Sequence, residues 1–370
     1  MRVLILANNT EGLLSFRREL LEELRGGHEV TVSAPEPSEE LSVREVCTLG
    51  ARYVQTRHLS RRGTDPAEDL KLLWFYRSLI QSERPDVVLT YTIKPNAYGG
   101  MACQMECVSY IANVTGLGTS IQDGGVLARI ALSLYRQGLR GANMTFFQND
   151  GIRDAMIVNR ILRGPYEVLP GSGVNTKRFQ PAEYPTEEEG VVFLTVGRIM
   201  RAKGTLELIE AACEIKVQHP ETRFVLVGSF DEDLEDIVSY AHDAGVIEYV
   251  PAQPDVRSYY AHAHALVHPS YHEGMSNVCL EAAAMGRPIL ASNVAGCKET
   301  FDEGVSGFGF EPQNAGSLID AIERFLALSW EEKRAMGLAG REKVVREFDR
   351  QIVVDAYMQE IERAFNSTHD

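Results

Sequence analysis

Two carboxylates eight positions apart, Glu273 and Glu281, bracket the run Glu273-Gly274-Met275-Ser276-Asn277-Val278-Cys279-Leu280-Glu281. At about 100° per residue a continuous helix would turn the second roughly 80° away from the first, so both cannot reach one atom from a single helix. Glu273 therefore belongs on a loop. His268-Pro269-Ser270-Tyr271 before it and Gly274 after it are loop residues, Ser276 or Asn277 can cap, and Ala282, Ala283, Ala284 and Met285 carry a helix that stops at Gly286-Arg287-Pro288. The amides of Gly274, Met275, Ser276 and Asn277, backed by the helix dipole, are then expected to face an anion.

A second cluster supplies cations. Gly197-Arg198-Ile199-Met200-Arg201-Ala202-Lys203-Gly204 follows a strand-like run at 191–196 and leads into a predicted helix at 205–215. A strand-to-helix turn carrying two cations suits a pyrophosphate: Arg198 can fork across phosphate oxygens and Lys203 adds a movable point charge. The dinucleotide signature Gly-x-Gly-x-x-Gly is missing. His262, His264, His268 and His272 invite a metal reading, but the first pair sits before or within a strand and the second brackets its exit loop, so no metal site is expected. His272, beside Glu273, is the expected neighbour of the acidic loop.

The elements that must hold these residues alternate in type. In the first half, strand-like runs at 3–7, 29–34, 86–91, 108–115 and 144–148 are separated by helical runs at 13–24, 67–80, 97–104 and 126–140. The pattern restarts after the turn-rich link at 179–189, with strands near 191–196, 224–227, 248–250, 265–268, 289–292 and 307–311. Such alternation predicts two α/β domains, each a doubly wound parallel sheet, over 1–180 and 186–349. Glu273 then lies at the carboxyl end of a strand, where open parallel sheets bind ligands.

The acidic loop between two strands, together with the Arg198–Lys203 turn, resembles the second domain of retaining GT-B glycosyltransferases of the family-4 type. Further matching runs are Asn8-Asn9-Thr10-Glu11-Gly12, Tyr91-Thr92-Ile93-Lys94-Pro95-Asn96-Ala97-Tyr98-Gly99-Gly100, Asn113-Val114-Thr115-Gly116-Leu117-Gly118 and Leu169-Pro170-Gly171-Ser172-Gly173-Val174-Asn175. They point to the subgroup that adds N-acetylhexosamine or hexose to undecaprenyl-diphosphate sugars in bacterial surface-polysaccharide synthesis. The resemblance implies an active site in the cleft between the domains, with a final helix, about 350–370, returning to the first.

It also implies roles. Arg198 and Lys203, with Gly197 in the same turn, hold the diphosphate of a UDP-sugar, and Arg201 is the spare cation. Glu273 touches donor-sugar hydroxyls and Glu281 the ribose. The base lies near Val250 and Pro251, after Gly228 closes the preceding crevice, and Gly12 lets the first domain's backbone approach the donor phosphates. Thr10, Thr92, Lys94 and Asn96 are expected on the acceptor side. No metal or other cofactor is implied, and retention follows same-face attack with the departing phosphate helping to take the acceptor proton. Thr115 departs from the pattern: many relatives carry a histidine or acid near this position, and threonine is no general base near neutral pH. That keeps open a sugar-nucleotide-binding subunit needing a partner, beside a UDP-sugar epimerase of the same fold.

Composition sets the remaining bounds. No apolar run reaches the roughly 18 residues of a membrane span, and the chain opens directly on Val3-Leu4-Ile5-Leu6, so a cytoplasmic protein is expected. Six cysteines without a Cys-x2-Cys pair fit reduced thiols. Residues 1–180 carry 21 Lys and Arg against 19 Asp and Glu, and residues 181–370 carry 16 against 33, or +2 against −17. This argues against nucleic acid and makes the first half the one that can approach an anionic inner membrane surface. Arg129, Arg136, Arg140, Arg153, Arg160 and Arg163 fit either that surface or a solvated helix face. Leu72, Leu73, Trp74, Phe75 and Leu79 fit core better than lipid.

Overall fold

In the computed structural model, which describes residues 1–59, 65–116 and 125–369, the chain forms two units, Met1–Ser172 with Gln351–Asp370, and Gly173–Arg350. The first is built on seven strands, β1 (Arg2–Leu6), β2 (Glu29–Ala34), β3 (Arg52–Gln55), β4 (Val87–Tyr91), β5 (Ser109–Val114), β6 (Met144–Phe147) and β7 (Tyr166–Val168). Their order is β3-β2-β1-β4-β5-β6-β7, every pair parallel. Its helices are α1 (Thr10–Arg25), α2 (Leu41–Thr48), α3 (Pro66–Glu83), α4 (Gly100–Glu106), α5 (Gly125–Gly138) and α6 (Asp150–Val158).

Side-chain alternation along β1 divides the core. Val3 and Ile5 point to a cluster with Leu13, Leu20 and Leu24 of α1, and Leu4 and Leu6 to one with Leu72, Tyr76 and Leu79 of α3. Leu72 and Leu79 are therefore core, as the sequence suggests, while Trp74 is exposed.

The second unit has strands β8 (Val192–Val196), β9 (Arg223–Gly228), β10 (Glu248–Pro251), β11 (Ala265–His268), β12 (Ile289–Ser292) and β13 (Gly307–Phe310), in the order β10-β9-β8-β11-β12-β13 and again all parallel. Helices α7 (Thr205–Gln218), α8 (Glu235–Asp243), α9 (Arg257–His262), α10 (Asn277–Ala284), α11 (Ala315–Leu326) and α12 (Trp330–Glu347) cover it. The last helix, α13 (Arg350–His369), sends Val353, Val354, Tyr357 and Ile361 into the core of the first unit.

The division falls after Ser172, not at 180. Val174 N–H donates to Phe348 O (2.8 Å), Arg350 N–H donates to Val174 O (2.9 Å), and Phe179 is buried in the second unit's core. Four short elements escape the periodicity: α2, β3, α6 and β7. Edge strand β3 alternates too weakly to read, and β7 spans only three residues. The helix expected at 97–104 begins as a π-turn, Pro95–Gly99, before α4. A Cβ on Gly100 would lie 2.2 Å from Gly138 O, so this crossing of α4 and α5 requires glycine.

Candidate active site

Strand order in the second unit reverses between β8 and β11, the first and fourth strands in sequence, and parallel sheets bind ligands at the carboxyl ends flanking such a switch. The loops leaving these two strands carry Lys203 and Glu273. They are stitched together by Tyr271 N–H donating to Ala202 O (2.9 Å), and Tyr271 Oη donates to Glu207 Oε1 (2.6 Å). Gly204, at φ 70, packs where a Cβ would meet Pro269 O at 2.2 Å.

Lys203 Nζ donates to Glu273 Oε1 at 2.5 Å, and His268 Nε2 lies 3.0 Å from the same oxygen. Burial alone would raise the Glu273 pKa, but His268 and Lys203 outweigh it and hold the carboxylate down to about 2. His268, at the end of β11 and 4 % exposed, is pushed up: burial opposes its protonation, and the Cys279 sulfur and Glu273 overcome that. The pocket neighbour of Glu273 is thus His268. His272, the residue expected there, is exposed, its carbonyl accepting from Ser270 Oγ (3.2 Å). A histidine ending a strand five residues before a loop acid was the available signal. His264 is structural, accepting from Val192 N–H at 3.0 Å.

Arg198 is exposed and pairs with Asp231 Oδ2 at 2.7 Å, in the neighbouring loop that leaves β9. Gly197, at φ 152, and Gly228 approach closely, a Cβ on Gly228 falling 1.8 Å from Gly197 O. Val250 and Pro251 end β10, Pro251 in register with Gly228.

The helix start after the acidic loop is α10, capped by Ser276 Oγ accepting from Cys279 N–H at 3.3 Å. The amide row at 274–277 is not open throughout. Ser276 N–H is spent on Gly296 O (2.7 Å), and Met275 is buried in the core. Asn277 Oδ1 is buried without a partner. Glu281 accepts from Tyr260 Oη at 3.1 Å, and burial, only partly offset by Tyr260, Arg350 and Arg178, raises its pKa to about 7.

In the first unit most expected acceptor contacts are committed to the fold. Thr10 is buried, its Oγ1 2.6 Å from Ser42 Oγ and its N–H on Glu36. Lys94 Nζ donates to Asp69 Oδ1 (2.8 Å), and Asn96, fully buried, accepts from Thr90 Oγ1 and donates to Asn113 O. Short polar side chains after a strand read the same in sequence whether they face a ligand or satisfy buried backbone. Gly12 N–H is taken by Asn9 Oδ1 (2.5 Å). Thr92 stands at φ 72 with its Oγ1 buried and unpartnered. Thr115 is partly buried just past β5, and Leu117 and Gly118 of its motif lie outside the described residues.

Comparisons with known proteins agree with this architecture. The description "Glycosyl transferase 4-like domain" matches residues 12–171, and "Glycosyl transferases group 1" matches residues 176–343. The N,N'-diacetylbacillosaminyl-diphospho-undecaprenol alpha-1,3-N-acetylgalactosaminyltransferase of Campylobacter jejuni is 25% identical over 99% of this chain and 100% of its own. Other curated relatives align over about half or less of either protein, among them the capsular polysaccharide biosynthesis glycosyltransferase CapM of Staphylococcus aureus, 26% identical over 53% of each. Two solved structures share the fold. Sucrose-phosphate synthase from Thermosynechococcus elongatus has a TM-score of 0.81 at 21% identity, covering 99% of this chain and 100% of that one. Anabaena HepE in complex with UDP and glucose has 0.79 at 16%, covering 98% and 100%. With the two family matches running in series from residue 12 to residue 343 and a relative aligned end to end, the chain belongs to the GT-B glycosyltransferases of the family-4 type.

Proposed function

We propose that this chain is a retaining, metal-independent glycosyltransferase that moves a hexosyl or N-acetylhexosaminyl group from a UDP-sugar to a lipid-linked saccharide in surface-glycan synthesis. The observation that carries the reading is the Lys203–Glu273–His268 cluster at the switch point of the second sheet. The full-length C. jejuni relative, named for a diphospho-undecaprenol acceptor, and the UDP complex of HepE support the choice of acceptor and nucleotide.

Glycosyl transfer separates an oxocarbenium-like sugar from a nucleoside diphosphate. Lys203 and Arg198 meet the charge that grows on the leaving group, and fixed groups of this kind are each worth about 3–4 kcal/mol in the transition state. Glu273 holds Lys203 in place, and its Oε2, without a hydrogen bond among the described residues, receives a donor-sugar hydroxyl. Glu281 takes the ribose hydroxyls. The phosphate oxygen released in the step accepts the acceptor's proton on the same face of the sugar, so Thr115 positions substrate and does no acid–base work.

The acceptor places the reaction at the inner face of the cytoplasmic membrane. Among the described residues no helix is long and apolar enough to cross a bilayer. In the first unit Arg129, Arg140, Arg160 and Arg163 are exposed and have no ion pair among the described residues, with Ile130, Ile157 and Val158 exposed in the same stretch.

The test is transfer by the purified chain from a panel of UDP-, GDP- and dTDP-sugars to a polyprenyl-diphosphate sugar, with and without chelator, beside Lys203→Ala and Glu273→Ala. An α-linked product from one UDP-sugar, insensitive to chelator and reduced at least about 100-fold in kcat in both variants, is expected. Tight UDP binding without turnover on any acceptor would instead identify a partner-dependent subunit. UDP-sugar interconversion without acceptor would identify an epimerase.

A further inference from the structure

Among the described residues, a buried cation of the first unit has no acid hydrogen-bonded to it. Arg17 of α1 is 3 % exposed; Nη1 donates to Phe16 O (2.7 Å), and Nε and Nη2 make no well-formed hydrogen bond among the described residues, the nearest polar groups being the Tyr91 and Tyr357 hydroxyls. The guanidinium lies over the rings of Tyr91 and Tyr357, 5.4 Å from each centroid. Backbone geometry leaves the helix at this residue (φ −141, ψ 16), so α1 is broken where Arg17 sits.

Other orphaned polar atoms surround it. Tyr91 Oη, which has only the Arg17 guanidinium and the Tyr357 hydroxyl near it, and Asn113 Oδ1, on register partners of β4 and β5, are buried without a well-formed hydrogen bond among the described residues, as is Thr92 Oγ1 on its left-handed backbone. Asn113 Nδ2 is engaged, donating to Tyr357 Oη at 2.5 Å. Aromatic faces return only part of the hydration a guanidinium loses, and a buried arginine is ordinarily paired with an acid. Here no acid is hydrogen-bonded to it. The cluster stands at the carboxyl ends of β4 and β5, beside the β1/β4 reversal of the first sheet, the counterpart of the position that holds Lys203 and Glu273 in the second.

We propose that Arg17 and the Tyr91 hydroxyl form an anion-receiving subsite for a phosphate or diphosphate ester. Asn113 Oδ1, an acceptor that no anion satisfies, takes a hydroxyl of the attached sugar. This deepens the function proposed above: the ester is the diphosphate joining the acceptor sugar to its lipid.

The test uses the full chain with the donor site first saturated with UDP, so that added anion reports on the first unit. Titration with inorganic pyrophosphate by calorimetry is expected to show binding that weakens at least tenfold in Arg17→Met and less in Arg17→Lys. No binding to the wild type, or equal binding to Arg17→Met, overturns the subsite. If Arg17→Met does not fold, the wild-type titration and Arg17→Lys decide the matter.

In the transfer assay, Arg17→Met is expected to raise KM for a diphosphate-linked acceptor at least tenfold, and Arg17→Lys by less. An equal rise with an acceptor lacking the diphosphate would mean a structural role and overturn the proposal. Pyrophosphate competing with the lipid acceptor supports the assignment; inhibition that is not competitive makes this a site for free phosphate and overturns the acceptor assignment. Should no lipid-linked acceptor be used at all, the proposed function fails while the pyrophosphate titration still decides the subsite.

Discussion

Glu281 and Glu273 are both acids on one short segment, yet their surroundings drive them apart, one to about 7 and the other to about 2. In the role proposed for Glu281, ribose hydroxyls donate to its carboxylate, so nucleotide binding would draw on the ionised form, which at neutral pH is only about half present. Calorimetry with UDP should show affinity rising several-fold from pH 6 to pH 8, with Glu281→Gln weaker and flat. The same raised value carries a stability sign. Glu281 contributes fully below the ordinary carboxylate range, and its contribution is lost as pH climbs to about 7, so Glu281→Gln should gain in Tm relative to the wild type between pH 5 and pH 8. At this scale the sequence put Glu273, Lys203 and Arg198 on loops leaving strand ends, and that is where they stand. It did not disclose His268, whose role depends on the strand's last side chain turning toward the acid. Nor did it show that Thr10, Lys94 and Asn96 are held by Ser42, Asp69 and Thr90, since those partners come from distant parts of the chain.

Among the elements, long strands with apolar alternation were legible because each must bury both faces, and β2, β11 and β12 begin and end where the pattern does. Elements carried by tertiary contact were not: β3 and β7 pair at sheet edges. The α4–α5 crossing gives a direct test of packing. Gly100 meets Gly138 backbone to backbone, and Gly100→Val must push the helices apart at a cost of at least about 1–3 kcal/mol. Urea titration should show a lower midpoint for that variant, with UDP affinity, which the proposed function assigns to the other unit, unchanged. The exposed arginines of α5, α6 and their loops have their own test. Replacing Arg129, Arg140, Arg160 and Arg163 by glutamine should reduce sedimentation with phosphatidylglycerol vesicles, by about 1 kcal/mol for each charge that reaches the surface, and leave binding to neutral vesicles unaltered.

For the whole molecule, the second unit is an insertion. The chain leaves the first unit after Ser172 and re-enters it at Gln351. Deleting 351–370 should therefore damage the first unit, not the nearer second one: Val353, Val354, Tyr357, Ile361 and Ala364 all belong to the first unit's core. Calorimetric scanning of the truncated chain should show the first unit's transition lost and the UDP-stabilised one kept. The order of synthesis gives this arrangement a further consequence. Domains ordinarily fold in the order they leave the ribosome, but this one lacks part of its interior until the last helix is made. While residues 173–350 are being translated, the part of the first sheet's apolar face that α13 covers stands open, so a nascent chain arrested before residue 351 should recruit chaperones and be cut by protease in its amino-terminal half, and a chain released with residues 351–370 in place should resist.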